Sequence, residues 1–201
     1  LSIQKIQDEK HDKYEKPERI LVPLANPGTL EFLMGFAFTI KKSSSKEPLY
    51  PLTVLQDDGN TSAKIEQFNR QLEKYRLEAS STEENISSMI RIEVSVADGI
   101  LRAVKEKSIT KIIIGWNGKL SASNYILGSL LEKLIEKANT MMMIVKIDKS
   151  LEYYRSIKMF IPPDMEYESG FEDCVNTFKR FSGQLKKEIE FYCEEDTQKF
   201  M

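Results

Sequence analysis

Three glycines and one serine, placed between a short apolar run and an apolar-periodic segment, are the residues best suited to chemistry. The stretch reads GWNGKLSASNYILGSL, with Gly115 and Gly118 three apart and Gly128 and Ser129 following after nine further residues. Glycines at the carboxyl end of a parallel strand permit positive φ angles and let a ligand approach the backbone. N–H groups at the start of the next helix favour an anion, and the serine hydroxyl adds a donor. The pattern predicts a phosphate cradle, and the alternative is a set of ordinary turn glycines.

Two common phosphate-binding motifs do not account for this stretch. A P-loop requires Gly-Lys followed by Ser or Thr, whereas Gly118-Lys119 is followed here by Leu120. The dinucleotide-binding pattern G-x-G-x-x-G is absent from the sequence. The spacing that remains is Gly, two residues, Gly, nine residues, Gly-Ser.

Alternating apolar runs and apolar-periodic segments predict the elements that position these glycines. From Arg19 to Asp148 the order reads β-α-β-α-β-α-β-α-β, which predicts an open five-stranded parallel sheet with helices on both faces. The pattern then restarts at Ile157 with a strand, a helix and another strand. We therefore divide the chain into a charged tether (1–18), an α/β domain (19–148) and the start of a second, similar unit (149–201).

Two elements of this pattern carry more specific expectations. The helix near Leu30 has one apolar face marked by Leu33 and a second marked by Phe36, which predicts that it is covered on two sides. Alternating apolar residues from Ile90 to Val96 predict a strand with one face on the core.

Composition excludes several classes of protein. The net charge is −2, which does not favour a nucleic-acid partner, and the apolar runs are too short to cross a bilayer. The single histidine, His11, lies in the charged segment, so we expect no catalytic residue and no enzymatic activity. Asp57 and Asp58 follow a strand and favour a polar turn over a magnesium site, and we expect no metal. The two cysteines form no disulfide framework, which favours a reduced compartment.

The glycine spacing resembles the nucleotide-binding signature of the universal stress protein family, whose five-stranded parallel fold suits the segment from Arg19 to Asp148. The resemblance implies that Gly115, Gly118, Gly128 and Ser129 contact the phosphates of ATP, AMP or another adenine nucleotide. It also implies that the main chain at Val54 faces the adenine.

The chain departs from that family at one position. ATP-binding members carry an Asp at the end of the first strand, where this sequence has Ala25 and Asn26. By the same resemblance Asn26 is a nucleotide-binding residue, able to form a hydrogen bond but lacking a carboxylate.

A narrower resemblance concerns the stretches RILVPLANP, LYPLTVLQ and IIIGWNG. They are similar to the universal-stress-protein-like cytoplasmic tail of monovalent cation–proton antiporters, in which two such units often follow one another. This implies a regulatory domain on the cytoplasmic side of the cell membrane, joined through the charged segment to a transmembrane antiporter domain of the same polypeptide. The start at Leu1, without an initiator Met, is what we expect of a piece of such a polypeptide.

Two other functions remain open from the sequence. One is a stand-alone, ATP-binding universal stress protein, and the other is a structural module whose loop binds nothing and whose faces only dimerise. We expect a homodimer, because the doubly apolar helix near Phe36 and the hydrophobic strand at Met141 offer surfaces for a second copy.

Overall fold

Among the described residues, five strands form the larger of two sheets. A computed structural model describes residues 17–57, 59–79, 85–116 and 128–201. The strands of this sheet are β1 (Ile20–Pro23), β2 (Leu49–Leu55), β3 (Met89–Ile92), β4 (Lys111–Gly115) and β5 (Met141–Val145). All are parallel, in the spatial order β3-β2-β1-β4-β5. The predicted open, parallel α/β sheet is therefore confirmed.

The strand order reverses at β1. The chain leaves β1 toward β2 and β3, then returns to place β4 on the other side of β1, where Ile20 pairs with Lys111. In open α/β sheets the carboxyl ends of the strands at such a switch point form the usual ligand crevice. The candidate site is therefore expected between the ends of β1 and β4.

Helices cover both faces of this sheet because its strands are apolar on both sides. The helices within this part of the chain are α1 (Leu30–Ile40), α2 (Thr61–Ala79), α3 (Val96–Glu106) and α4 (Ser129–Lys137). Successive residues of β1 divide between two cores: Ile20 and Val22 pack with α1 and α2, and Leu21 packs with α3 and α4. This two-sided burial is why the strands read as continuous apolar runs.

The remaining elements form a smaller parallel sheet with its own helix. They are β6 (Ile157–Phe160), α5 (Phe171–Leu185), β7 (Ile189–Tyr192) and a short helix α6 (Glu195–Gln198). β6 pairs with β7 along their whole length. We call residues 149–201 the second unit, and its resemblance to the opening of another domain of the same kind stays a prediction.

Helix α1 is covered on two sides, as the sequence predicted. One side faces the large sheet, and the other faces α5, where the rings of Phe36 and Phe181 meet edge to face with centroids 5.2 Å apart. The second apolar stripe of α1 is therefore occupied within the chain.

The predicted extension of β3 to Val96 is wrong. The strand ends at Ile92, Val94 is 93% exposed, and Val96 is the first residue of α3. The reason is the hydroxyl of Ser95, which accepts the N–H of Asp98 at 3.4 Å and so starts the helix there.

Within the part of the chain that the structure describes, no helix has the length and apolar character needed to cross a bilayer.

Candidate functional site

Asn26 lies just beyond the carboxyl end of β1, where the chain turns into α1. Its side-chain Oδ1 accepts the backbone N–H of Gly28 at 2.9 Å, and its carbonyl accepts both the N–H and the hydroxyl of Thr29, at 3.1 and 2.8 Å. This Asx turn bends the chain into the short 3₁₀ helix Pro27–Thr29 that precedes α1. The side chain is exposed, and its Oδ1 is engaged in shaping the turn.

Thr53 forms a hydrogen bond at the end of β1, and the sequence analysis did not predict a role for this residue. Its hydroxyl donates to the carbonyl of Leu24 at 2.8 Å, although the residue is only 6% exposed. Leu24 also donates its N–H to Leu52, so β1 and β2 stay paired up to the candidate site. A threonine within an apolar strand was the only sequence signal for this contact.

Val54, predicted to face an adenine through its main chain, lies one residue before the end of β2. Its half-buried side chain packs against α3 at Gly99. A Cβ at Gly99 would come within 2.7 Å of Val54 Cγ1, so the glycine is what allows this close approach of helix and strand. The side chain of Val54 is therefore committed to packing, and only its main chain is suited to recognising a ligand.

Gly115 is the last residue of β4, next to the end of β1. A Cβ at this position would lie 3.0 Å from Leu33 Cδ1 of α1, closer than side chains normally approach. Leu33 is 3% exposed and belongs to the core beneath α1. The glycine therefore leaves room for Leu33 where α1 packs on β4, whether or not a ligand binds.

Gly128 differs from Gly115 because its backbone conformation, and not a close neighbour, favours glycine. Its φ is +90°, a backbone conformation that residues other than glycine rarely adopt. No described atom lies within 4 Å of the position that a Cβ would take. It is the residue before α4, and because it has no side chain the helix lacks a side-chain N-cap. Among the described residues, no side chain caps the N–H groups of the first turn, and such groups are suited to an anion.

Ser129, the first residue of α4, is exposed. Helix α4 connects β4 to β5 and runs antiparallel to both strands. Its amino end therefore lies at the same sheet edge as Asn26 and Gly115. The structure thus brings Asn26, Val54, Gly115, Gly128 and Ser129 to one edge. Gly118, like Asp58 and His11, lies outside the described residues.

Trp116 follows Gly115 and extends the pairing of β4 with β5, since its N–H donates to the carbonyl of Val145 at 2.8 Å. The ring packs against the core beneath α3 and α4. Its indole N–H is buried and has no hydrogen-bond partner among the described residues. The tryptophan therefore lies beside the candidate site with an indole N–H that none of the described residues accepts.

A surface ion pair joins α4 to α3. Lys133 Nζ lies 2.8 Å from Asp98 Oδ1 and donates a hydrogen bond to Oδ2 at 2.9 Å. This hydrogen bond, supported by one with Ser95, lowers the pKa of the Asp98 carboxyl. The pair lies at the surface, above the apolar core that α3 and α4 share.

A groove of about 1660 Å³ lies away from this edge, along the outer strand β5. Its opposite wall comes from the second unit and includes Ile161, Cys174 and Phe178. Burial raises the pKa of the Cys174 thiol, nearby Asp173 adds to the effect, and Lys111 opposes it. The groove borders the outer edge of β5, which pairs with no further strand among the described residues, and its lining includes none of the predicted phosphate-binding residues.

Residues 17–146 match the model of the universal stress protein family. The chain belongs to this family. The match covers the five-stranded sheet and its four helices, and ends before the second unit. No curated protein is significantly similar to the chain.

Solved universal stress proteins share the fold of this domain. The universal stress protein from Archaeoglobus fulgidus is 21% identical, with a TM-score of 0.52 over 64% of this chain and 93% of that one. The one from Lactobacillus plantarum is 16% identical, with a TM-score of 0.50 over 65% and 98%. The cytoplasmic domain of a prokaryotic cation chloride cotransporter is 16% identical, with a TM-score of 0.49 over 88% and 66%.

Proposed function

We propose that this universal stress protein domain binds an adenine nucleotide and regulates a monovalent cation–proton antiporter from the cytoplasmic side of the membrane. The observation that carries the nucleotide proposal is the amino end of α4 behind Gly128, at the carboxyl edge of the sheet, which no side chain among the described residues caps. The N–H groups of that helix turn and the Ser129 hydroxyl would hold the phosphates. The main chain at Val54 would face the adenine, and Asn26 would contact the ribose only through atoms not used in its turn.

The proposed role is binding without catalysis. The sequence holds one histidine, and no residue is assigned to a chemical step. A bound nucleotide can change transport only if it binds two states of the transporter with different affinities. The nucleotide is therefore proposed as a signal, and the antiporter domain of the same polypeptide as the partner that responds to it.

Two features favour the antiporter tail over a stand-alone universal stress protein. The matched family segment is followed by a second β-α-β unit, and the helix α5 of that unit packs on α1. The charged segment before Pro17 suits a tether. The reading frame upstream of Leu1 tests this directly: we expect several apolar segments of about 20 residues each, and a start codon immediately upstream would refute it.

We also propose that the domain forms a homodimer through β5. This strand is at the edge of the sheet, and it consists of apolar residues throughout. The carbonyl of Val145 accepts the N–H of Trp116, which follows β4, so the backbone polar groups of Ile144, one residue earlier, point to the outer edge. An unpaired edge strand of this kind is a template for pairing with another strand.

A thermal-shift titration tests the nucleotide. At 100 times its Kd, ATP or AMP should stabilise the domain by about 2.7 kcal/mol, which raises the melting temperature by about 5–11 °C. The fluorescence of Trp116, beside the candidate site, should change at the same concentrations.

Two serine variants test where the nucleotide binds. Ser129→Ala should weaken binding by about 1–2 kcal/mol, the scale of a hydrogen bond to a charged group. The matched control is Ser44→Ala, which removes an exposed hydroxyl after α1, at the opposite edge of the sheet. No shift with millimolar ATP, ADP, AMP or cyclic dinucleotides would refute the nucleotide proposal and leave the family assignment intact.

A further inference from the structure

A lysine and a glutamate are buried together at the amino edge of the large sheet. Lys111 begins β4, and its ammonium lies 3.2 Å from Glu18 Oε1, with the two side chains only 3% and 7% exposed. The same ammonium donates to the hydroxyl of Thr177 in α5, also at 3.2 Å. A buried charge is tolerated only when partners satisfy it, and removing one partner is far more disruptive than breaking a surface pair. This cluster is therefore sensitive to the position of each group in it.

Glu18 is the residue on which three elements converge. Besides Lys111 of β4, its Oε2 accepts the backbone N–H of Lys42, just after α1, at 2.6 Å. The guanidinium of Arg180 in α5 lies 3.7 Å from Glu18 Oε1 and donates to the carbonyl of Ile40 at 2.9 Å. Glu18 is thus held jointly by the sheet, by the end of α1 and by the second unit.

Helix α5 completes this cluster through its docking on α1. Arg180 and Gln184 donate to the carbonyls of Ile40 and Lys41, which the end of α1 leaves without helical partners. Phe181 packs between them against Phe36. If α5 moved away, Lys111 would lose the Thr177 hydroxyl and Glu18 would lose the Arg180 guanidinium.

We propose that Glu18, Lys111, Thr177 and Arg180 form a latch that makes docking of the second unit and fixation of the chain at Glu18 a single event. Glu18 follows directly on Pro17 and the charged segment 1–16. A displacement of that segment that extracts Glu18 would release α5, and undocking of α5 would release Glu18. The latch lies at the edge of the sheet opposite to the nucleotide site and does not depend on nucleotide binding.

Amide hydrogen exchange, resolved by residue with NMR on the 201-residue chain, tests the latch in both directions. Thr177→Val removes one hydroxyl from α5 without changing the side chain's shape, and should accelerate exchange at the Lys42 and Arg19 amides about tenfold. Glu18→Gln should accelerate exchange within α5 about 100-fold or more, because it leaves Lys111 buried without its counter-charge. Amides of α3, on the other face of the sheet, should keep their rates in both variants.

Glu93→Gln is the matched control, because it breaks a pair with Arg102, whose side chain is 58% exposed. It should leave α5, Arg19 and Lys42 within a few-fold of the wild-type rates. The latch is refuted if each variant accelerates exchange only in its own element, or if α3 accelerates to the same extent as α5. If Glu18→Gln does not fold, Thr177→Val and the uncharged docking variant Phe181→Ala still decide, since both must accelerate exchange at Arg19.

Discussion

Replacing Gly115 with alanine should destabilise the domain through a contact with helix α1. The new methyl group would be 3.0 Å from Leu33 Cδ1 and 3.6 Å from Leu33 Cδ2. Leu33 is 3% exposed and surrounded by core side chains, so it has little room to move away. The substitution therefore overpacks the junction of α1 and β4.

Overpacking a well-filled core by one methyl group typically costs about 1–3 kcal/mol. For a chain of this size, that cost lowers the melting temperature by about 2–12 °C. Shortening Leu33 should relieve the strain. The double variant Gly115→Ala/Leu33→Val should therefore lose less unfolding free energy than the two single variants lose in sum, by at least about 0.5 kcal/mol. Gly128→Ala should behave differently, since the cost there comes from a φ of +90° and none of the described side chains is close enough to relieve it.

Urea unfolding of the four proteins in this cycle measures the coupling. Gly35→Ala is the control in the same helix: nothing lies within 4 Å of its Cβ position, so it should stabilise α1 by about 0.5–1 kcal/mol. A neutral Gly115→Ala, or a double variant whose loss equals the sum of the single losses, would show that Leu33 packing does not require this glycine. The phosphate cradle would then be its remaining explanation.

Three further outcomes test other contacts. Light scattering should give a mass of twice 23.2 kDa. Ile144→Pro removes one outward N–H of β5, so it should reduce the mass to that of the monomer and leave the far-UV circular dichroism unchanged. A wild-type monomer at high concentration would contradict the dimer. Thr53→Val should lower the unfolding free energy by about 1–3 kcal/mol, because the buried carbonyl of Leu24 loses its donor, and unchanged urea unfolding would contradict this. The hydrogen bond from Lys133 lowers the pKa of Asp98, so its stabilisation is complete at neutral pH and is lost as the pH falls through that lowered pKa. Asp98→Asn should therefore have a lower melting temperature than the wild type at pH 7 and the same melting temperature near pH 2. An equal difference in melting temperature at both pH values would show that the Asp98 carboxylate does not cause this pH dependence.

The sequence was sufficient for the fold class because the signals involved are local. Continuous apolar strands alternating with amphipathic helices indicated a parallel sheet. The two apolar stripes of α1 indicated that this helix is covered on two sides. Gly128 was recognisable for the same reason, since a glycine before a helix marks a special backbone conformation. Where two local signals competed, at Val96, the helix cap of Ser95 ended the strand pattern.

The spacing of the glycines predicted where a phosphate cradle would lie, but it could not show which glycine serves packing. That depended on Leu33, 82 positions before Gly115 in the chain, which only the crossover of α1 onto β4 brings near. The charged character of residues 1–18 likewise concealed Glu18, whose partner Lys111 is 93 positions away. Sequence periodicity reports which face of an element is buried, and only tertiary structure decides which distant residue lies against it, because each contact depends on the placement of every element between the two.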